Sequence, residues 1–438
     1  MKKKYRIILY TSIFLLCVVA SIILVVKKSN SVYEEESKPK VVKHKSMLSM
    51  NLEQTAGSGD YKTVTQSSWP TEGYKFNAEL SKCENGSTLS WDDTKKAVIM
   101  QGNVSDKCYV YFDIWIPSIA DYCTSGTDLA TCVKNFGDQG PSVSNIYIHN
   151  SSLTNGAGDN SYRYAGANPN NFVCFGSDAS PCPIDNLYRI IGVFGENYHG
   201  ANGKQLVKLI KYDYMTTDEL GTDGDYSQTY KEWGMDSTYK GTYGDGERIG
   251  VYYWNYKATG SATNTWSTSL LNKTNLNTNF INNIGTTWAN KIATVTWKVG
   301  GNTWANIGTK TSSVAYTNEI TNPVTTNTTD NATTYSAKIG LMYVSDYGFA
   351  ASPDAWTLTM SSYNNTTATN NNWMYMGLYE WTISRYADGS NGAFGVDYAG
   401  RVGYDVDGFN GVRASFNLES SVSYVSGSGS MSDPIVIN

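Results

Sequence analysis

Histidine is nearly missing from this sequence: the chain has three in 438 residues, at positions 44, 149 and 199. A Ser-His-Asp or Cys-His nucleophile system in the C-terminal half would therefore lack its base. Cysteine stops early too. Cys17 and six others end at Cys182, which leaves the last 256 residues without a thiol. No C-x-x-C or C-x-H spacing occurs, so neither a zinc site nor any other metal or cofactor is expected. Positive charge is also short. From residue 51 onward 24 basic side chains stand against 36 acidic ones. Such an acidic body has no electrostatic footprint for phosphate backbones, and nucleic acid is not an expected partner.

What the chain has is aromatic surface. Apolar residues are 40% of it and aromatics 13%, led by 33 Tyr and 12 Trp. That is enough to build a core, and it excludes wholesale disorder. The remainder is rich in Gly, Asn, Ser and Thr, which favour turns over long helices. The length suits two or three folded units. The expected class is α+β, rich in β-structure, with an uncharged polar surface.

Ile7 to Val26 is a run of 20 residues without a charge. At about 1.5 Å per residue it matches the hydrocarbon thickness of a bilayer. A cleaved signal peptide is the alternative, but its apolar region is usually shorter, and Lys27 and Lys28 follow directly instead of a small-residue cleavage site. Residues 1–28 are read as a cytoplasmic tip and a single membrane helix, since four basic residues precede the span. Residues 29 onward would then lie outside the cell, with the membrane as one partner. Six exported cysteines read as disulfides. Fifteen pairings are possible in principle, and the expected ones join neighbours: Cys83 with Cys108, Cys123 with Cys132, and Cys174 with Cys182.

Residues 29–59 read as a polar stem, 60–117 as a small β module and 118–150 as a connector with a short helix around Asp128 to Asn135. Residues 151–438 read as the main domain. In the module, Tyr74, Phe76, Ala78 and Leu80 alternate with polar residues, as a half-buried strand would. In the main domain Leu187 to Phe194 and Leu206 to Ile210 read as a buried hairpin in the middle of a sheet. Leu276, Phe280, Ile284, Trp288 and Ile292 recur at steps of four, which predicts one helix with an apolar stripe. Ile339 to Val344 reads as a buried strand, and the Thr- and Asn-rich stretch 311–335 as a long surface loop.

The C-terminal segment carries Lys338-Ile-Gly-Leu-Met-Tyr-Val-Ser-Asp-Tyr, Glu380-Trp-Thr-Ile-Ser-Arg, Phe394-Gly-Val-Asp-Tyr-Ala-Gly-Arg-Val and Asn410-Gly-Val-Arg-Ala-Ser-Phe-Asn-Leu, and it closes with Gly427-Ser-Gly-Ser-Met-Ser-Asp-Pro-Ile-Val-Ile. This resembles uncharacterised exported proteins of gut Firmicutes and Tenericutes that end in W-x-L-S-P, V-x-x-x-G-x-V and G-V-R-P-x-x-x-L. More remotely, Glu-Trp-Thr followed by Gly-Val-Arg resembles the end of formylglycine-generating, sulfatase-modifying domains. That resemblance implies a C-type-lectin-like fold for residues 151–438. Those enzymes need a late cysteine pair that this chain lacks, so their chemistry is not carried over. Ala414 stands where the pattern usually has Pro.

Ile383, Phe394, Val396, Val402, Val412, Phe416 and Leu418 are spaced like core positions of short strands. Between them lie Arg385, Tyr386, Asp388, Asn391, Asp397, Tyr398, Tyr404, Asp405, Asp407 and Asn410, which alternation would leave exposed as a ligand face. Tyr and Asn make large or adaptable contacts at low entropic cost. The carboxylate pairs Asp405 with Asp407 and Asp245 with Glu247 suit acid–base work in principle, although such pairs are common in an acidic chain. Asp405-Val-Asp-Gly is half of a calcium loop without its later Glu, and reads as a turn. The expected function is a membrane-anchored extracellular binding or adhesion module whose ligand is a glycan or a protein. The alternative is an envelope enzyme that acts on polysaccharide with paired carboxylates. A structural surface component without a ligand pocket is a third possibility.

Overall fold

The computed structural model describes residues 47–438 apart from 66–67, 71, 104, 196–197, 202, 236, 256–262, 324–332 and 407. The membrane anchor and Asp407 therefore lie outside the described residues. Among the described residues no helix is long and apolar enough to cross a membrane. The fold is β-rich α+β, with 32% strand and 23% helix, in two compact units divided along the chain between Ile116 and Pro117.

The first unit is a four-stranded sheet in the order Tyr61–Val64, Met47–Glu53, Lys107–Ile114, Tyr74–Cys83, with a separate hairpin of Thr88–Asp92 and Ala97–Gln101. Met47–Glu53, from the stretch read as stem, pairs in parallel with Lys107–Ile114. Phe112 is the hub of the core, with Trp69, Phe76 and Trp91 packed around it at 5.7–5.9 Å. Cys83 and Cys108 are directly opposed in neighbouring strands and bonded. The expected alternation breaks after Asn77. The register shifts between Asn77 and Lys82, and Leu80 turns outward, 43% exposed.

The second unit holds two large sheets. One has the order Ile339–Gly340, Ser415–Asn417, Leu206–Lys211, Leu187–Phe194, Tyr162–Tyr164, Ile146–Ile148. Its central hairpin is buried at every residue of both strands, as the continuous apolar runs predict. A Cβ at Gly192 would stand 2.2 Å from the Tyr162 carbonyl, so only glycine allows this close approach. The other sheet runs Tyr226–Thr229, Gly250–Tyr253, Phe409–Gly411, Glu380–Tyr386, Gly392–Val396, Val402–Val406. The helix Val344–Ala350, buried at all seven positions, touches Tyr162–Tyr164 of the first sheet and Glu380–Tyr386 of the second. The segment 118–150 contributes the helix Leu129–Gly137, capped by Asp128, whose carboxylate accepts from Thr131 N at 2.8 Å.

Three expectations need correcting. The stripe from Leu276 to Ile292 is not one α-helix. Leu271–Phe280 is wound with the wider π repeat, Gly285 breaks the following turn at φ 76°, and Ile292 lies beyond the helix, bridging to Leu418. Ile339 to Val344 is buried, but only Ile339–Gly340 is strand, because Tyr343 caps the helix that follows. The front of the 311–335 stretch is not a surface loop. Ser312, Ala315, Tyr316, Glu319 and Ile320 form a buried helical face, which hydroxyl and carboxyl side chains hide from a hydropathy reading. The disulfides present are Cys83–Cys108, Cys123–Cys132 and Cys174–Cys182, the three local pairs expected. They indicate an oxidising, extracellular setting for the body.

Candidate functional site

The seven expected core positions, from Ile383 to Leu418, are all at most 4% exposed. The residues between them do not form one face. Arg385 and Asn410 are buried, at 1% and 2%. Alternation misplaces them because their strands are interior to the second sheet, and both surfaces of Glu380–Tyr386 are covered. Asp388, Tyr398 and Tyr404 are exposed, while Tyr386, Asn391, Asp397 and Asp405 are half-buried. These seven fall into two groups.

In the first group, Tyr386 and Tyr404 stack face to face with centroids 4.1 Å apart, and Trp304 meets Tyr404 edge-on. Burial, with Asp388 and Tyr404 beside it, pushes the Tyr386 phenol up to about 12. Asn391 and Asp405 open on a slot of about 10 Å³, room for about one water.

The second group lies on the tight turn between Gly392–Val396 and Val402–Val406. Asp397 holds that turn by accepting from Ala399 N, Arg401 N and Arg401 Nε, at 2.7–3.0 Å. Tyr398 projects from it, 39% exposed, and begins a continuous strip of rings. Tyr398 meets Tyr379 at 5.5 Å, Tyr379 meets Trp233 at 5.3 Å, Trp233 meets Phe409 at 5.1 Å, and Phe409 meets Tyr253 at 5.5 Å. Trp233 is 36% exposed and the other three are half-buried.

The sequence positions this strip firmly. Trp233 ends a one-turn helix whose Thr229 and Glu232 form a capping box, with Thr229 N to the Glu232 carboxylate at 2.8 Å. Tyr230 OH holds the Tyr379 carbonyl at 2.8 Å, and Tyr375 OH the Tyr398 carbonyl at 2.7 Å. Beneath lies a second apolar core of Tyr214, Tyr230, Tyr243, Ile249, Val251, Met376 and Leu378. Charges at the margin are already paired, Lys231 with Glu247 and Arg401 with Asp397. Only Tyr398 of this strip was expected; its other members come from four distant segments.

Of the two carboxylate pairs, Asp405 with Asp407 lies partly outside the described residues. Asp245 and Glu247 stand on an exposed turn, where Asp245 accepts from Glu247 N. A larger cleft of about 160 Å³ is lined by Asp185, Asp218, Glu219 and Arg248, below the roughly 300 Å³ of ordinary small-molecule pockets. Arg248 pairs with Asp185 at 3.0 Å and Asp218 at 3.6 Å, and Lys211 pairs with Glu219 at 2.8 Å.

A further cluster, unforeseen from sequence, is closed to solvent. Arg163 meets Asp159 at 2.9 Å and Asp346 at 3.5 Å, and Lys208 meets Asp346 at 2.5 Å. Tyr316 and Ser161 donate to Asp159. His199, packed on Phe194, is pushed down to about 3 by burial and by Lys208 and Arg163. His149 lies between Phe349 and Trp356, held well below the usual range by burial. Neither histidine is placed to serve an exposed substrate. A lysine inside the apolar run Leu206 to Ile210 was the one available signal for this cluster. Comparison with family models, curated proteins and solved structures found no match.

Proposed function

We propose that the body is a non-catalytic extracellular binding or adhesion module on a lectin-like scaffold, tethered to the cell membrane by Ile7 to Val26. The aromatic strip from Tyr398 through Trp233 to Tyr253 carries this reading. Contiguous half-exposed Tyr, Trp and Phe rings on a supported base are a common contact surface, because rigid rings lose little entropy on binding. The ion pairs that occupy Asp185, Glu219 and Glu247 and the burial of both described histidines favour binding over hydrolysis.

The test is to screen the full chain, purified in detergent, on glycan and protein arrays. A variant carrying Trp233→Ala and Tyr398→Ala together is then compared. Loss of about tenfold or more in affinity is expected, as for aromatic anchors elsewhere. Unchanged affinity in a folded variant would move the binding surface elsewhere. Turnover of a polysaccharide by the wild-type chain would favour the enzyme reading.

A further inference from the structure

Lys208 stands inside the strand Leu206–Lys211 with no exposed surface, its Nζ 2.5 Å from Asp346 Oδ2. Its other neighbours are the rings of Tyr343, Trp297 and Phe194, at 4.4, 5.2 and 5.7 Å. An ammonium carries three N–H donors. Among the described residues Asp346 Oδ2 is the one hydrogen-bond acceptor it reaches. The remaining donors face ring carbon, an expensive arrangement for a fully buried charge. Asp346 Oδ1 and Arg163 Nη1, 3.5 Å apart, are also without a hydrogen bond. A secondary amide in place of the ion pair would remove two charges from this site, leaving one amide N–H and the Tyr343 N–H that Asp346 Oδ2 now accepts at 3.0 Å.

We propose that Lys208 and Asp346 are joined by a self-formed isopeptide bond between Nζ and Cγ. The step begins when the ammonium gives a proton to the carboxylate, leaving a neutral amine beside a neutral acid. The Nζ lone pair then adds to Cγ and forms the C–N bond. The resulting oxyanion is Oδ1, which faces the Arg163 guanidinium. When the tetrahedral carbon collapses, the Cγ–Oδ2 bond breaks. Oδ2 leaves as water with one proton from the acid and one from the nitrogen. Amine and carboxylic acid become amide and water, with no change of oxidation state.

The surroundings favour the neutral amine and stabilise the oxyanion, while the acid must form against nearby cations. Burial lowers the Lys208 pKa against the pull of Asp346, which favours the nucleophilic amine. Burial alone would raise the Asp346 carboxyl, but Lys208 and Arg163 hold it below its ordinary value. The Lys208 share of that hold ends once the amine is neutral. A second carboxylate, Glu319, lies against the start of the helix that carries Asp346 and adds to the pull on the Lys208 ammonium. It is buried, its carboxyl is raised by burial, and it accepts from Val344 N and Ser345 N at 3.0 and 2.9 Å, next to Asp346 on the same helix end. The bond would tie a central strand to the buried helix across 138 residues, in a region with no cystine after Cys182.

Peptide mapping of the reduced, denatured full chain decides the matter. The expected product is a branched peptide containing Lys208 and Asp346, lighter than its two parts by one water. Lys208→Arg should give two linear peptides of full mass. Asp346→Asn should give the same branched product with loss of ammonia instead. Linear wild-type peptides of full mass, from fresh and from aged protein, would overturn the proposal. So would a water loss that maps to Asp-Gly sequences such as Asp223-Gly224 rather than to Lys208. The wild-type measurement stands even if a variant fails to fold.

Discussion

The small unit closes its core around four buried apolar side chains, Met50, Leu52, Val110 and Phe112, beside the Cys83–Cys108 bond. The large unit instead buries six cationic side chains among its described residues: Arg163, Arg189, Lys208, Lys211, Arg385 and Arg413. The carboxylates differ in part: Asp225 and Glu319 of the large unit also accept from backbone N–H groups, but others there face cations. In the small unit Glu53 and Asp106 are satisfied by backbone N–H groups, Ile114 N on Glu53 and Asn85 N and Ser87 N on Asp106. In the large unit Asp159, Asp346 and Glu380 face guanidinium or ammonium groups, with Arg413 on Glu380 at 2.8 and 2.9 Å. A small core has little apolar area to offset the desolvation of ion pairs, and a covalent staple suits it better. A large one can carry such pairs, provided every partner is kept.

The sharpest way to break this comparison is Arg163→Met, which leaves Asp159 and Asp346 without their guanidinium. Removing one partner from a buried cluster costs about 3–5 kcal/mol. Denaturant unfolding of the large unit should show a loss of that order. A loss below about 1 kcal/mol would mean that its core does not depend on the ionic contacts.

Next in size is Cys83→Ala combined with Cys108→Ala, expected to cost about 2–4 kcal/mol. Amide-exchange protection should fall in Tyr74–Cys83 and Lys107–Ile114 and persist in Leu187–Phe194. Equal loss in both units would erase the distinction between them.

A smaller effect is expected from pH. His199 has an unfolded pKa near 6.5 and a folded one pushed down to about 3. Between these values the unfolded chain binds the extra proton, so stability present above 6.5 is lost as pH falls toward 3. From pH 7.5 to 5 this amounts to about 2 kcal/mol. The buried Glu319, with its pKa raised by burial, works in the opposite direction, since protonation above its ordinary value relieves its burial. The comparison is therefore made against His199→Gln. That variant should show a shallower decline of melting temperature between pH 7.5 and 5. An identical slope would remove His199 as the source.

The smallest expected effect is Trp233→Ala, within about 1 kcal/mol in stability, because the ring is 36% exposed. A large destabilisation would mark the strip as core rather than as a contact surface.

A continuous apolar run made the doubly covered strand Leu187–Phe194 legible, whereas the doubly covered Glu380–Tyr386 has polar residues and was not. Short cysteine spacings pointed to the three local bonds, because neighbouring thiols close the shortest loops. Arg385 and Asn410 were misread because alternation assumes one wet face, and an interior strand has none. The buried helix at Ser312–Tyr316 escaped notice because its packed face is built from hydroxyl, alanine and carboxyl groups.

Composition by itself determined a β-rich, aromatic, acidic protein whose late half lacks thiols and histidine, and patterning along single segments located its central hairpin and its local disulfides. Those properties depend on neighbours in the chain. Which rings reach the surface together, and which charges meet in the interior, was decided only by tertiary structure. Trp233, Tyr253, Tyr379, Tyr398 and Phe409 come from separate segments. Lys208 and Asp346 are 138 residues apart. The sheet order and the helix at Val344–Ala350 bring such groups into contact, and no local periodicity encodes a pairing between distant side chains.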